Sequence, residues 1–400
     1  MTMNAVRDPS TPTNRRLIVG ALGLFQILAW GSTYYLLAVL ATPIAADTGW
    51  SLTWIVGAMS IGMLASGLIS PRIGRTIDRF GGRPVLAASA VLFAAGLALL
   101  AVSPHLIVFI AGWIVIGFGM ATGLYDAVFS TLGRLYGDTA RGPITAITLF
   151  GGLASTTCWP LTAYMAETLG WRGACLIYAG IHLTLACPTY LLLLPRETPH
   201  EPHTAHANGS PATPVAPMAF VLLAVNLALT AVITSVTSVH LLTILQARDL
   251  ALAAAVALGA LVGPAQVTAR IVEMVIGRYH HPIWTLAASA AFIAVGIAVL
   301  WSGAPAIAAA LMIYGAGIGI HSIARGTVPL ALFGAQGYAT LMGRLARPTL
   351  IAGAAAPTAG AVVLEYWGAD ATLATLAALT AVNLAVVATL IATTPREGPL

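Results

Sequence analysis

Apolar positions along this chain gather into twelve long runs separated by short polar connections, at about 17–42, 52–73, 84–102, 106–131, 143–166, 173–194, 218–244, 250–276, 283–301, 305–332, 341–364 and 370–393. A helix rises about 1.5 Å per residue, so roughly 20 apolar residues cross the hydrocarbon of a bilayer. Hydrocarbon offers a backbone no hydrogen bonds, and each run must satisfy its own N–H and C=O groups. Runs of Ala, Leu, Val and Gly without period-two alternation predict helices rather than barrel strands. The predicted fold class is an all-α membrane protein of twelve transmembrane helices.

The pattern repeats. An offset of 198 pairs Arg72 with Arg270, Pro84 with Pro282, Gly117 with Gly315, Gly119 with Gly317, Glu167 with Glu365 and Gly170 with Gly368. Two six-helix bundles of the same orientation follow, at 17–194 and 218–394, with a tail at 1–16, a linker at 195–217 and a tail at 395–400. In a parallel repeat of this kind substrate sits between the halves near mid-membrane. The linker is Pro-rich and polar and carries His200, His203 and His206, with His182 just upstream. It reads as a solvated connection rather than a metal site.

Composition agrees: 58% of residues are hydrophobic and 8% charged, with mean hydropathy +0.90. Soluble domains carry about 25% charged residues, so the solvent of this chain is lipid. The basic balance does not signal nucleic acid. Every cation is an arginine, and the arginines lie in short loops. Fourteen fall on the side holding both termini, and only Arg172 and Arg248 on the other. The positive-inside rule then predicts cytoplasmic termini in a bacterial-type inner membrane. The first apolar run is too long for a cleavable signal. Cys158, Cys175 and Cys187 have no metal-ligand spacing, and no metal or cofactor is expected. Nor does the chain carry a P-loop, a nucleophile elbow or an HExxH helix, so it is expected to be gradient-driven and not an enzyme.

Between the second and third runs the chain reads Gly74-Arg-Thr-Ile-Asp78-Arg79-Phe-Gly-Gly82-Arg83-Pro84. This resembles the signature loop of the major facilitator superfamily. The resemblance implies a monomeric carrier with alternating access, in which Gly74, Asp78, Arg79, Gly82 and Arg83 form a cytoplasmic gate latch. Gly49-Trp50-Ser-x-x-Trp54, Gly170-Trp171-Arg172-Gly173 and Gln266-x-x-x-Arg270 are similar to the monocarboxylate-transporter and oxalate/formate-type branch. That branch has Asp where Gln266 stands, and its arginine at the position of Arg270 engages a substrate carboxylate.

Charges inside hydrocarbon cost about 2.5–3.5 kcal/mol each by insertion scales and mark function by default. Asp126, Arg270, Glu273 and Arg325 qualify. Asp126, Arg270 and Arg325 each lie six or seven residues on the cytoplasmic side of their run's centre, about 9–10 Å at helical rise. All four facing one cavity would cancel, and protonation of Asp126 would release a guanidinium for an anion. Asp126 and Glu273 are therefore the proton-coupling candidates, against static ion pairs. Arg270 and Glu273, three apart, either meet substrate or pair with each other. His321 shares a helix face with Arg325, and Trp30, Tyr34 and Gln26 share the first helix, as further substrate candidates or as packing. The expectation is a proton-coupled carrier of a small organic anion such as a monocarboxylate; a proton-driven efflux antiporter for drugs, metabolites or metalloids is the alternative. A receptor or scaffold has no use for the repeat or the buried charges.

Overall fold

The computed structural model describes residues 12–197, 217–303 and 305–394. The linker histidines His200, His203 and His206, residues 1–11 of the N-terminal tail and the tail at 395–400 lie outside them. Among the described residues the secondary structure is helical, with no strand. The twelve membrane helices are α1 (Pro12–Gly31, resuming at Leu36–Thr48), α2 (Leu52–Phe80), α3 (Gly82–Val102), α4 (Leu106–Gly123 and Tyr125–Tyr136), α5 (Arg141–Gly152, then 154–169) and α6 (171–193). They continue as α7 (Pro217–Gln246), α8 (Leu252–Gly259 and Val262–Ile276), α9 (Pro282–Trp301), α10 (Ile307–Phe333), α11 (338–367) and α12 (369–393). Gly170 (φ 72°) and Gly368 (φ 81°) turn the chain between α5 and α6 and between α11 and α12. Both need the left-handed region that glycine enters freely, which accounts for their pairing in the repeat.

The helices gather into two compact units. One holds α1–α6 with Gly334–Arg347, the start of α11; the other holds α7–α10, the rest of α11 from Pro348, and α12. The repeated glycines do the same work in each. In the first unit a Cβ on Gly117 would run into the Gly62 backbone of α2, and one on Gly119 into the Phe93 ring of α3. In the second, Gly315 abuts the Val262 backbone of α8 and Gly317 abuts Ile293 and Ser289 of α9. Without a hydrophobic force between helices in lipid, close backbone approach of this kind is what holds them.

Four helices expected to be continuous are broken. In α1 the residues 32–35 form a turn: Thr33 bonds back to the Ala29 carbonyl, and Tyr35 N reaches past the helical register to Trp30 O at 3.0 Å. Short hydroxyl side chains offer the backbone this alternative to the helix. In α4, Leu124 is extended (ψ −170°). α5 breaks at Leu153 and α8 at Ala260–Leu261. By contrast α10, the repeat mate of α4, is unbroken. At its C-terminal end α2 runs on to Phe80, seven residues beyond its apolar run, through the arginine-bearing stretch Arg72–Arg79.

Arg172 and Arg248, the two arginines expected on the side away from the termini, both have carboxylate partners. Arg172 pairs with Asp47, which also accepts the Trp171 indole N–H at 3.0 Å, tying the end of α1 to the start of α6. Arg248 pairs with Asp370 at 2.8 Å, tying the end of α7 to the start of α12. Arg172 and Asp370 are offset mates, so the same clasp is built in each unit with its charges exchanged. Arg172 and Asp47 are 42% and 48% exposed. Exposed pairs contribute little, and Arg172→Ala is expected to lower the melting temperature in detergent by no more than about 3 °C.

A buried network joins α7 to α12. Asn226 donates to Asn383 at 2.9 Å, and Asn383 donates to Thr230 at 3.2 Å, with all three shielded from solvent. Polar bonds between membrane helices are worth about 0.6 kcal/mol on average and up to about 1.7. Asn383→Ala removes two of them, so a loss of about 1–2 kcal/mol is expected in reversible detergent unfolding. One proline also has its partner supplied. Pro357 has no N–H for the Gly353 carbonyl, and Ser235 of α7 donates to it at 3.0 Å.

Candidate functional site

In the first unit the candidate residues collect around the two breaks. Gln26 is fully buried; its Nε2 donates to the Gly123 carbonyl at 2.6 Å, and its Oε1 accepts the Trp30 indole N–H at 3.2 Å. Gly123 is the last residue before the α4 break, so this amide holds that break open and fixes Trp30 at once. Trp30 lies 5.6 Å from the Tyr34 ring and 4.9 Å from the Tyr125 ring. Tyr35 lies 5.4 Å from Tyr34 and 6.2 Å from Trp159, and Tyr125 stacks on Phe129 at 5.1 Å. The α1 turn makes this possible, because a continuous helix would place Tyr34 and Tyr35 on neighbouring faces directed apart. Tyr125 and Trp159 were not singled out by sequence, since they come from other helices.

Asp126 sits in the first turn after the α4 break. With Ser70, Gly74, Ser130 and Gly343 it lines a cleft of about 10 Å³ inside the first unit, about the size of one water molecule. The break is what separates Asp126 from the packed glycine stretch 117–123.

In the second unit Arg270 and Glu273 are buried, 5% and 6% exposed. Arg270 Nε donates to the Gly319 carbonyl of α10 at 3.1 Å, and its Nη2 approaches Gln266 Oε1 at 3.4 Å. Gly319 has no side chain to keep the Gln266 backbone away, which is why the guanidinium reaches a carbonyl of the next helix. Glu273 accepts the Thr285 hydroxyl of α9 at 2.7 Å and lies 3.7 Å from His280 Nε2. His321 and Arg325 are both half-buried on α10, and Arg325 is one turn before Pro329. Pro329 has no N–H to give the Arg325 carbonyl.

The signature loop is a one-residue turn. Gly81 takes φ 80°, and Gly82 begins α3 with its Cα against Thr131. Asp78 Oδ2 accepts the Thr340 N–H at 2.7 Å in the first turns of α11, where unpaired N–H groups receive a carboxylate. Gly74 abuts the Ala339 carbonyl, Gly343 abuts Ser70, and Gly133 abuts the Tyr338 ring. All of these residues belong to the first unit. Arg134 bonds the Asp78 carbonyl and pairs with Glu197, and the Arg79 guanidinium lies over Phe80 at 5.0 Å. Arg83 lies beside Gly82 in the first turn of α3.

No group of His, Cys, Asp and Glu able to hold a metal ion occurs among the described residues. The fold is shared with solved transporters. The human organic anion transporter MFSD10 (TETRAN) superposes with TM-score 0.74 at 18% identity, over 94% of this chain and all of that one. The E. coli fucose:proton symporter FucP does so with TM-score 0.68 at 14% identity, over 95% and 99%. The proton:xylose symporter XylE gives 0.72 at 11% identity, over 97% of each chain. In sequence, Monocarboxylate transporter 6 of Mus musculus is 32% identical over 155 residues, 38% of this chain and 31% of that protein. The match therefore spans under a third of that relative. The Major Facilitator Superfamily profile matches residues 22–347. Twelve helices in two repeated halves, the signature loop and that profile agree: the chain is a membrane transporter, not an enzyme, and belongs to the major facilitator superfamily.

Proposed function

We propose that this chain is a proton-coupled carrier of small organic anions, most simply monocarboxylates, working by alternating access as a monomer. It would lie in a bacterial-type inner membrane with both termini cytoplasmic, its two bundles at 17–194 and 218–394 rocking about a central site. The observation that carries the reading is a pair of guanidiniums, Arg270 and Arg325, on α8 and α10 within the hydrocarbon span. A planar guanidinium matches a carboxylate with two parallel bonds, and a cation within a membrane-spanning helix is costly and marks a functional site by default. The partial likeness to a monocarboxylate transporter supports the same cargo class. Trp30, Tyr34, Gln26, His321 and Gln266 would complete the substrate surface. Asp126 and Glu273 would take the proton, and Asp78 would act as the latch on α11.

The test is uptake of labelled pyruvate and lactate into proteoliposomes, with and without a pH gradient. Accumulation driven by the gradient supports symport. Extrusion driven by it supports the antiport alternative. Absence of any flux with these acids, against a working positive control, overturns the monocarboxylate reading.

A further inference from the structure

His182 stands outside every role assigned above, yet it joins the two most irregular places in the first unit. It opens a π-helical segment, His182–Ala186, in the middle of α6. Its Nε2 lies 2.8 Å from the Ser32 hydroxyl, in the turn that interrupts α1. Both are sealed from solvent, His182 at 2% and Ser32 at 0% exposure, and the imidazole packs against the Phe93 ring at 5.0 Å.

Two features of the chemistry make this more than incidental packing. A serine in a helix ordinarily returns its hydroxyl to a carbonyl one turn back, as neighbouring Thr33 does to Ala29. Ser32 instead directs its hydroxyl across to α6. A π-segment inserts one extra residue into a turn and so re-aims a side chain; such segments gather at functional sites. Here the re-aimed side chain is His182, and its target lies between Trp30 on one side and Tyr34 and Tyr35 on the other. The turn at 32–35 sets where those three rings point. Its backbone bonds, Ser32 N to Leu28 O, Tyr35 N to Trp30 O and Leu36 N to Thr33 O, are local. The bond to His182 ties the turn to α6.

We infer that His182 is a positioning residue: through its buried bond to Ser32 it holds the α1 break in the shape that presents Trp30, Tyr34 and Tyr35 to cargo. The consequence for transport rests on the proposed function, whereas the consequence for the shape of the break does not. The experiment therefore reads both. Tyr34→Cys is introduced, and its rate of labelling by a membrane-impermeant maleimide is followed by peptide mass spectrometry without substrate. Ser32→Ala and His182→Phe are each expected to change that rate at least fivefold. The double variant should change it no further, and His182→Gln, which keeps a nitrogen at similar reach, should stay within twofold of the parent. In the Tyr34 background, Ser32→Ala should raise the pyruvate concentration for half-maximal uptake about fivefold while the maximal rate stays within twofold.

Labelling within twofold of the parent in Ser32→Ala, or effects of the two substitutions that multiply in the double variant, would overturn the inference. So would equal losses in His182→Phe and His182→Gln, the mark of a residue that only fills space. Should His182→Phe fail to insert, Ser32→Ala removes the same bond from the other side and decides alone. A parent protein that carries no pyruvate would sink the monocarboxylate reading and leave the labelling result to judge this one.

Discussion

Arg325→Ala is expected to abolish the thermal stabilisation that monocarboxylates give the parent protein, while the variant inserts and unfolds normally without ligand. A ligand at one hundred times its dissociation constant stabilises by about 2.7 kcal/mol. Removing one partner of a desolvated charged contact costs about 2–5 kcal/mol, a loss of roughly thirtyfold or more in affinity. At the same ligand concentration the remaining stabilisation falls below about 1 kcal/mol. Arg325 is a cleaner test than Arg270. The Arg270 guanidinium is deeply buried and bonds the Gly319 carbonyl, so its loss also opens the contact between α8 and α10. Arg325 is half-buried, so truncating it leaves a smaller void. Full ligand stabilisation in Arg325→Ala, measured by a melting shift with pyruvate, would remove it from the binding site. Retained stabilisation in Arg325→Lys would show that charge alone suffices; its loss would show that the planar fork is needed.

The helices were legible because lipid leaves the backbone no other choice: a long apolar run must be a helix, and twelve were marked within several residues of their ends. The repeat was legible because close packing demands glycine at 117, 119, 315 and 317 and a left-handed turn demands it at 170 and 368. The breaks were not. Those in α1 and α4 meet partners far away in sequence: Gln26 donates to the Gly123 carbonyl, His182 meets the Ser32 hydroxyl, and Cys158 fills the space beside Gly31. Nothing local distinguishes Leu124, an apolar residue in an apolar run, from its neighbours. The same divide runs through the candidate site. Buried charges announce themselves by their cost, and Trp30 and Tyr34 by their proximity. Tyr125 and Trp159 join them only through the fold, as Thr285 joins Glu273 across the α8–α9 connection.

Asp126→Asn is expected to break the link between the pH gradient and transport without removing binding. A gradient of one pH unit stores about 1.4 kcal/mol per proton, so one proton moved with each anion sustains about tenfold accumulation. Asparagine fits the same space after the α4 break and keeps a hydrogen-bonding oxygen, but it takes up no proton. In proteoliposomes the accumulation ratio should therefore fall from about ten toward one, while exchange of internal for external pyruvate, which needs no net proton movement, persists. The cleft shared with Ser70, Ser130 and Gly343 gives Asp126 room for about one water, a route by which a proton could reach it. Filling that cleft separates the carboxylate from its access path. Gly343→Ala would press a methyl against the Ser70 backbone, at the latch as well as at the cleft, whereas Ser130→Val acts within the cleft, replacing the lining hydroxyl and its bond to the Asp126 carbonyl one turn back. Ser130→Val is therefore expected to slow gradient-driven uptake several-fold and leave exchange within twofold. Gradient-driven accumulation that survives in Asp126→Asn would assign the proton elsewhere. Glu273 is the next carboxylate to examine, buried against Thr285 and 3.7 Å from His280 on the far side of the sequence repeat.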